Sequence, residues 1–121
     1  VVFQSYTEGN FKLFPKNPKR DFVYVDDVVS ANIHAIDSPK GIYEVGSGEA
    51  RTFEDVLDNL EILFTYRNEV DIPDGYQYYT ESDSKRWMSG WKPKYNIESG
   101  IEKYKKYFKK RLGLYTKKVV Y

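Results

Sequence analysis

Arg20 and Asp21 stand directly before the apolar run Phe22-Val23-Tyr24-Val25, and Asp26 and Asp27 stand directly after it. A guanidinium at the mouth of a short strand can present its planar fork of donors to a phosphate or a carboxylate. The plainer alternative is a surface ion pair with Asp21 or Asp26, worth about 0–1 kcal/mol. Asp21 is expected to hold Arg20 or the adjoining loop. Asp26 or Asp27 is expected to cap a helix, where a carboxylate accepts orphan N–H groups and meets the positive helix end. Further on, Gly46-Ser47-Gly48 could turn backbone N–H groups toward an anion, but a strand-to-loop turn accounts for the glycines better. Arg51 occupies the place where a Gly-x-Gly-x-x-Gly cofactor turn needs its third glycine.

His34 is the single histidine, and there is no cysteine. Without a second histidine or a thiolate it is a poor metal site, so no metal is expected. Asp83, Ser84 and Lys85 read as a cap and its solvated first turn, and Trp87 and Trp91 as core. Eight of the 19 basic residues fall between Lys103 and Lys118. Basic residues interleaved with aromatics can suit nucleic acid or an acidic membrane surface. With a net charge of only +1 and cations favoured near a helix C-terminus, a solvated helix face is the better reading, so neither nucleic acid nor membrane is expected as a partner.

These groups must be positioned by a chain of 121 residues, 40% apolar and 31% charged, which suits one soluble globular domain. No run approaches the roughly 18 apolar residues of a spanning helix, and no secretory signal is visible. The absence of cysteine fits a reducing compartment, so a cytoplasmic location is expected. Val1 opens the chain inside apolar sequence, as expected of a fragment.

The expected elements run as follows. Residues 1–8 end a helix stopped at Gly9 or Asn10. Residues 11–14 form a strand, and 15–19 a proline-bearing loop. Residues 21–25 form a second strand, followed by a helix from Asp26 or Asp27 to Asp37 with Val29, Ile33 and Ile36 as its apolar stripe. Residues 42–45 form a strand ended by Gly46-Ser47-Gly48. Thr52 with Asp55 makes a capping box for a helix carrying Phe53, Val56, Leu57, Leu60, Leu63 and Phe64. Residues 69–72 form a strand, 76–80 are extended, 82–90 form a short helix and 91–95 are irregular. A last helix starts near Asn96, bears Ile97, Ile101, Tyr104, Phe108 and Leu112, and stops at Gly113, leaving residues 114–121 as a tail. Strands alternating with helices indicate an α/β fold, with a smaller α+β portion after residue 50.

"KRDFVYVDDV" (19–28) resembles the Arg-Asp-aromatic-(Ile/Val/Leu)-(Tyr/His)-Val-x-Asp signature of the extended short-chain dehydrogenase/reductases, the nucleotide-sugar epimerases and dehydratases. "GIYEVGSGEARTFEDV" (41–56) is similar to that family's strand-Gly-x-Gly-loop-helix segment. "SDSKRWMSGWKPKYNIESGI" (82–101) is similar to its Asp-x-(Ser/Thr)-Lys…Gly-(Trp/Tyr)-x-Pro ending. Three motifs in order cover roughly residues 11–108. With "GYQYYT" (75–80), the chain most resembles the heptose epimerases of that family.

The resemblance implies the C-terminal remnant of a Rossmann-type sheet plus a small substrate-binding domain, spanning residues 1–113. It implies NAD or NADP as cofactor of the complete enzyme, bound by an N-terminal part. No tyrosine here is followed four residues later by lysine, so no catalytic residue and no cofactor ligand is expected on this chain. The complete enzyme would oxidise a sugar carbon, allow inversion and reduce it again with the same cofactor. The partner implied is a nucleotide-diphosphate sugar. Arg20 would bind its diphosphate, Phe14 and Tyr76 would shape the pocket, and Lys16 and Asn17 are candidate phosphate or ribose ligands. The loop Pro15–Lys19 is shorter and richer in proline than that family's pattern. A non-catalytic binding module and a basic-helix nucleic-acid module are the alternatives. A truncated parallel sheet would leave an unpaired edge, so self-association or a homo-oligomer is expected.

Overall fold

The computed structural model describes residues 11–68 and 71–119. Strand β1 (Phe11–Leu13) pairs in parallel with β4 (Phe64–Tyr66), Phe11 opposite Phe64 and Leu13 opposite Tyr66. A parallel pair needs a crossover, and helix α2 (Phe53–Asn59) lies within that connection, burying Leu57 completely. Strand β2 (Lys19–Asp21) pairs antiparallel with β3 (Ala50–Thr52). On its other side Lys19 bridges to Tyr79, with its N–H donating to Tyr78 O at 2.8 Å. Helix α1 (Val25–Ala35) follows β2, and helix α3 (Ile97–Val119) closes the chain. The arrangement is mixed α/β.

Ala31 on α1, Met88 and Trp91 form a buried cluster, with Tyr43 and Trp87 packed against it. Trp87 and Trp91 meet edge to face at 5.5 Å, a favoured aromatic geometry. Both indole N–H groups are satisfied, Trp91 Nε1 donating to Ser30 Oγ and Trp87 Nε1 to Ser82 Oγ. α1 therefore docks through its small residues Ala31 and Ser30. Its aliphatic stripe is left outside: Val25, Val29, Ile33 and Ile36 are 51–78% exposed.

Local signals settled several elements, and tertiary partners moved others. The capping box is present: Thr52 Oγ1 accepts from Asp55 N at 3.1 Å, and Thr52 N donates to Asp55 Oδ2 at 3.3 Å. The helix it starts is shorter than expected, because Glu61 adopts φ +58°. Leu63 is then exposed and Phe64 enters β4. The expected strand 21–25 is displaced. Only Asp21 belongs to β2, and 22–24 have no sheet neighbour among the described residues, because β3 reaches only as far as Lys19–Asp21. Residues 42–45 form no strand for the same lack of a partner, their one ladder-like bond among the described residues being Glu44 N to Arg86 O at 3.0 Å.

Neither aspartate caps α1. Tyr24 is its N-cap without a side-chain bond, and Asp26 and Asp27 lie inside the first turn. The expected helix at 82–90 is a single 3₁₀ turn, Ser84–Arg86, capped by Asp83 accepting from Lys85 N. α3 does not stop at Gly113 but continues to Val119, so the expected tail is largely helical. Asp71 and Ile72 are in no strand; the rest of that expected strand and the helix end at 1–8 lie outside the described residues.

Candidate substrate-binding site

Two carboxylates fix the frame. Asp21, at the end of β2, accepts from the N–H and hydroxyl of Ser47 at 2.6 and 2.7 Å, from Gly48 N at 3.0 Å, and from the N–H and hydroxyl of Ser82 at 2.9 and 2.8 Å. Burial pushes this carboxyl up, but the bonds from Ser82 and Ser47 outweigh it and hold Asp21 below the ordinary carboxylate value of 3.8. Gly46 is required here, since a Cβ would sit 2.5 Å from Ser82 Oγ and 2.6 Å from Asp21 Oδ2. Asp27, 1% exposed, accepts from Lys94 N at 2.9 Å and Tyr95 N at 3.0 Å. It latches the loop before α3 onto α1, which is why it is not a cap.

Asp21 thus holds the Gly46–Gly48 loop and the Ser82 turn rather than Arg20. The N–H groups that could have faced a phosphate are already spent on a carboxylate. Arg51, at the third-glycine position, is bound by Glu49 at 3.0 Å, Asp55 at 3.1 Å and Glu98 at 2.6 Å. Hydrogen bonding to Glu98, against the opposing effect of burial, raises its pKa further. This loop does not fit a dinucleotide phosphate.

Arg20 is left without a carboxylate among the described residues. Its Nη1 donates to Lys19 O at 2.9 Å, and its guanidinium carbon lies 5.5 Å from the Tyr76 ring centroid, within cation–π range. Tyr76 in turn packs on Phe14 at 5.2 Å and on Tyr78 at 5.1 Å. Phe14 and Tyr76 line a cavity of about 320 Å³, together with Lys12, Phe53, Val56 and Arg67 among others. The volume is at the lower end of small-molecule sites. Among the described residues no carboxylate lines it.

The structure therefore brings Arg20, Phe14 and Tyr76 together. Lys16 and Asn17 stay on the exposed loop between β1 and β2, outside the cavity lining, with Asn17 at φ +53°. Sequence reasoning passed over Lys12 and Arg67. The signal that could have found Arg67 is the parallel pairing of β1 with β4, which sets the residue after Tyr66 beside the residue after Leu13. A second cavity of about 310 Å³ lies between residues 22–25 and α3, lined by Phe22, Tyr24, Ile97, Ile101 and Tyr104. Among the described residues it offers no charged group to a phosphate. Among the described residues no helix is long and apolar enough to cross a membrane, and no cluster of metal-ligating side chains occurs.

The basic end of α3 is partly engaged by the protein itself. Lys103 Nζ donates to Asp26 Oδ2 at 2.6 Å and to Tyr95 Oη at 2.8 Å, and Lys105 pairs with Glu61 at 3.6 Å.

Residues 4–46 match the NAD dependent epimerase/dehydratase family. The chain is 32% identical to an ADP-L-glycero-D-manno-heptose-6-epimerase of Brachyspira hyodysenteriae, over 81% of this chain and 34% of that protein. Among solved structures, the Helicobacter pylori ADP-L-glycero-D-manno-heptose-6-epimerase superposes with a TM-score of 0.71 and 27% identity, over 88% of this chain and 35% of that one. The Thermus thermophilus UDP-glucose 4-epimerase in complex with NAD gives 0.66 and 26%, over 83% and 36%. The chain thus spans about a third of the length of the relatives it matches.

Proposed function

This chain belongs to the NAD-dependent epimerase/dehydratase family, and from that premise we propose that it is the nucleotide-sugar-binding C-terminal part of an ADP-heptose 6-epimerase-like enzyme. The observation that carries the reading is Arg20: a guanidinium 5.5 Å from the ring of Tyr76, which lines an aromatic cavity, with no carboxylate on it among the described residues. An uncompensated cation beside aromatic walls suits a ligand that combines ring faces with phosphate charge.

The division of labour follows from the geometry. Asp21 pins the end of β2 and so fixes the register that presents Arg20. Arg20 neutralises the diphosphate, while Phe14 and Tyr76 offer their ring faces to the remainder of the ligand. The cofactor, NAD or NADP, supplies the hydride chemistry and is assigned to a part of the enzyme outside these residues. That assignment is supported by the loop at 46–51, closed on Asp21 and on the carboxylates around Arg51. Alone, the chain binds and orients a ligand and does not turn it over.

Calorimetric titration with ADP-, UDP- and GDP-linked sugars tests the reading, with duplex DNA at two salt concentrations as the competing ligand. The expected result is nucleotide-sugar binding that Arg20→Ala weakens ten- to a hundredfold, the range of a charge-assisted contact of about 1.5–3 kcal/mol. An Arg20→Ala variant with undiminished affinity would refute it. So would salt-sensitive DNA binding without any affinity for nucleotide sugars.

A further inference from the structure

Four arginines have described side chains, and they divide cleanly. Arg51 is held by three carboxylates, and Arg86 pairs with Glu44 at 3.4 Å. Arg20 and Arg67 have no carboxylate among the described residues, and Tyr76 links them: Arg67 and Tyr76 line one cavity, and Arg20, outside that lining, lies over the Tyr76 ring at 5.5 Å. We infer that Arg67 is a second anion-binding side chain of this cavity, and that the pair selects a ligand carrying two linked phosphates over one carrying a single phosphate. The inference rests on the nucleotide-sugar reading and adds to it a residue and a selectivity.

The backbone fixes where Arg67 starts. Its N–H donates to Leu13 O at 2.9 Å, continuing the β1·β4 ladder one residue past Tyr66. Arg67 is thereby tied to β1 immediately before Phe14. Its side chain is exposed and makes no hydrogen bond or ion pair among the described residues. Lys12 lines the same cavity and is also exposed. Lys12 and Arg67 bring like charges to one cavity with no counter-ion among the described residues, which is unfavourable in the empty protein, and an anionic ligand removes that cost. A guanidinium presents a rigid fork that matches a phosphate group two bonds at a time. One fork serves one phosphate, so two forks favour a diphosphate.

The test is calorimetric titration of the 121-residue chain with ADP and, separately, with AMP. The wild type is expected to bind ADP at least tenfold more tightly than AMP. Arg67→Ala is expected to lower ADP affinity about tenfold or more, the loss of one charge-assisted contact, while changing AMP affinity by less than about threefold. Arg67→Lys keeps a positive charge but loses the fork, and is expected to fall between the two. Arg86→Ala, a surface variant outside the cavity, is expected to bind as wild type. Thermal unfolding of each variant verifies the fold, and Arg67→Lys carries the test if the alanine variant is unstable. ADP binding unchanged in Arg67→Ala but lost in Arg20→Ala overturns this inference alone. Equal losses for ADP and AMP in Arg67→Ala overturn the selectivity. A wild type that binds neither nucleotide overturns both this inference and the reading beneath it.

Discussion

Arg20 and Arg51 sit opposite each other in the β2·β3 register, yet their surroundings are opposites. Directly opposed residues share a face of the ladder, and like charges there are destabilising. Around Arg51 the molecule resolves this with Glu49, Asp55 and Glu98. Around Arg20 it does not; among the described residues the guanidinium has only an aromatic ring and a backbone carbonyl. One arginine is a structural clamp between the capping box of α2 and the first turn of α3. Its neighbour across the ladder is kept available. The same contrast separates the seam at Asp21 and Asp27, where every carboxylate oxygen accepts protein donors, from the cavity beside Phe14, where Lys12 and Arg67 meet no acid among the described residues.

The contrast can be broken from the structural side first. Asp27→Ala removes the acceptor of two N–H groups at a buried site and is expected to cost about 3 kcal/mol, read as a fall in the unfolding midpoint. A variant as stable as wild type would show that the latch to Lys94 and Tyr95 is dispensable. Asp21→Asn keeps the shape but loses half of the acceptor capacity, and is expected to cost about 2 kcal/mol. Asp21 also gives a pH signature. Its folded pKa is below 3.8, so its contribution is fully present above that value and is lost as pH falls through the lowered one. Asp55 and Glu98 are also held low and act in the same direction. Stability measured between about pH 6 and about pH 2 is expected to drop at the acid end, less steeply in Asp21→Asn. Thr52→Ala deletes the cap of α2 and is expected to cost about 1 kcal/mol. Arg20→Ala closes the series: a stability change within about 0.5 kcal/mol, against the large loss of ligand affinity set out above. A large loss of stability there would make Arg20 a second clamp and erase the contrast.

How much of this was readable in the residues depended on the range of the interaction. Thr52 and Asp55 are three residues apart and satisfy each other, so their pattern announces itself. The motif around Arg20 likewise pointed to Phe14 and Tyr76 as its companions, and they meet in space. Asp27 looked like a cap because it precedes an apolar periodic run, but its partners are 67 and 68 residues away. Residues 22–24 and 42–45 have the composition of strands, but a strand exists only where another backbone bonds to it. Arg67 escaped notice because its neighbour Leu13 is brought to it by a parallel pairing across most of the domain. Local chemistry was legible, and long-range partners were not.

The uncovered stripe of α1 lays a line of aliphatic carbon along one helix face. Copies are expected to adhere through Val25, Val29, Ile33 and Ile36, visibly so by light scattering as sulfate replaces chloride, since excluded salts strengthen contact between apolar surfaces. Ile33→Glu would keep them apart while leaving Arg20 and Tyr76 untouched, so the wettability of one helix can be tuned separately from the grip on phosphate.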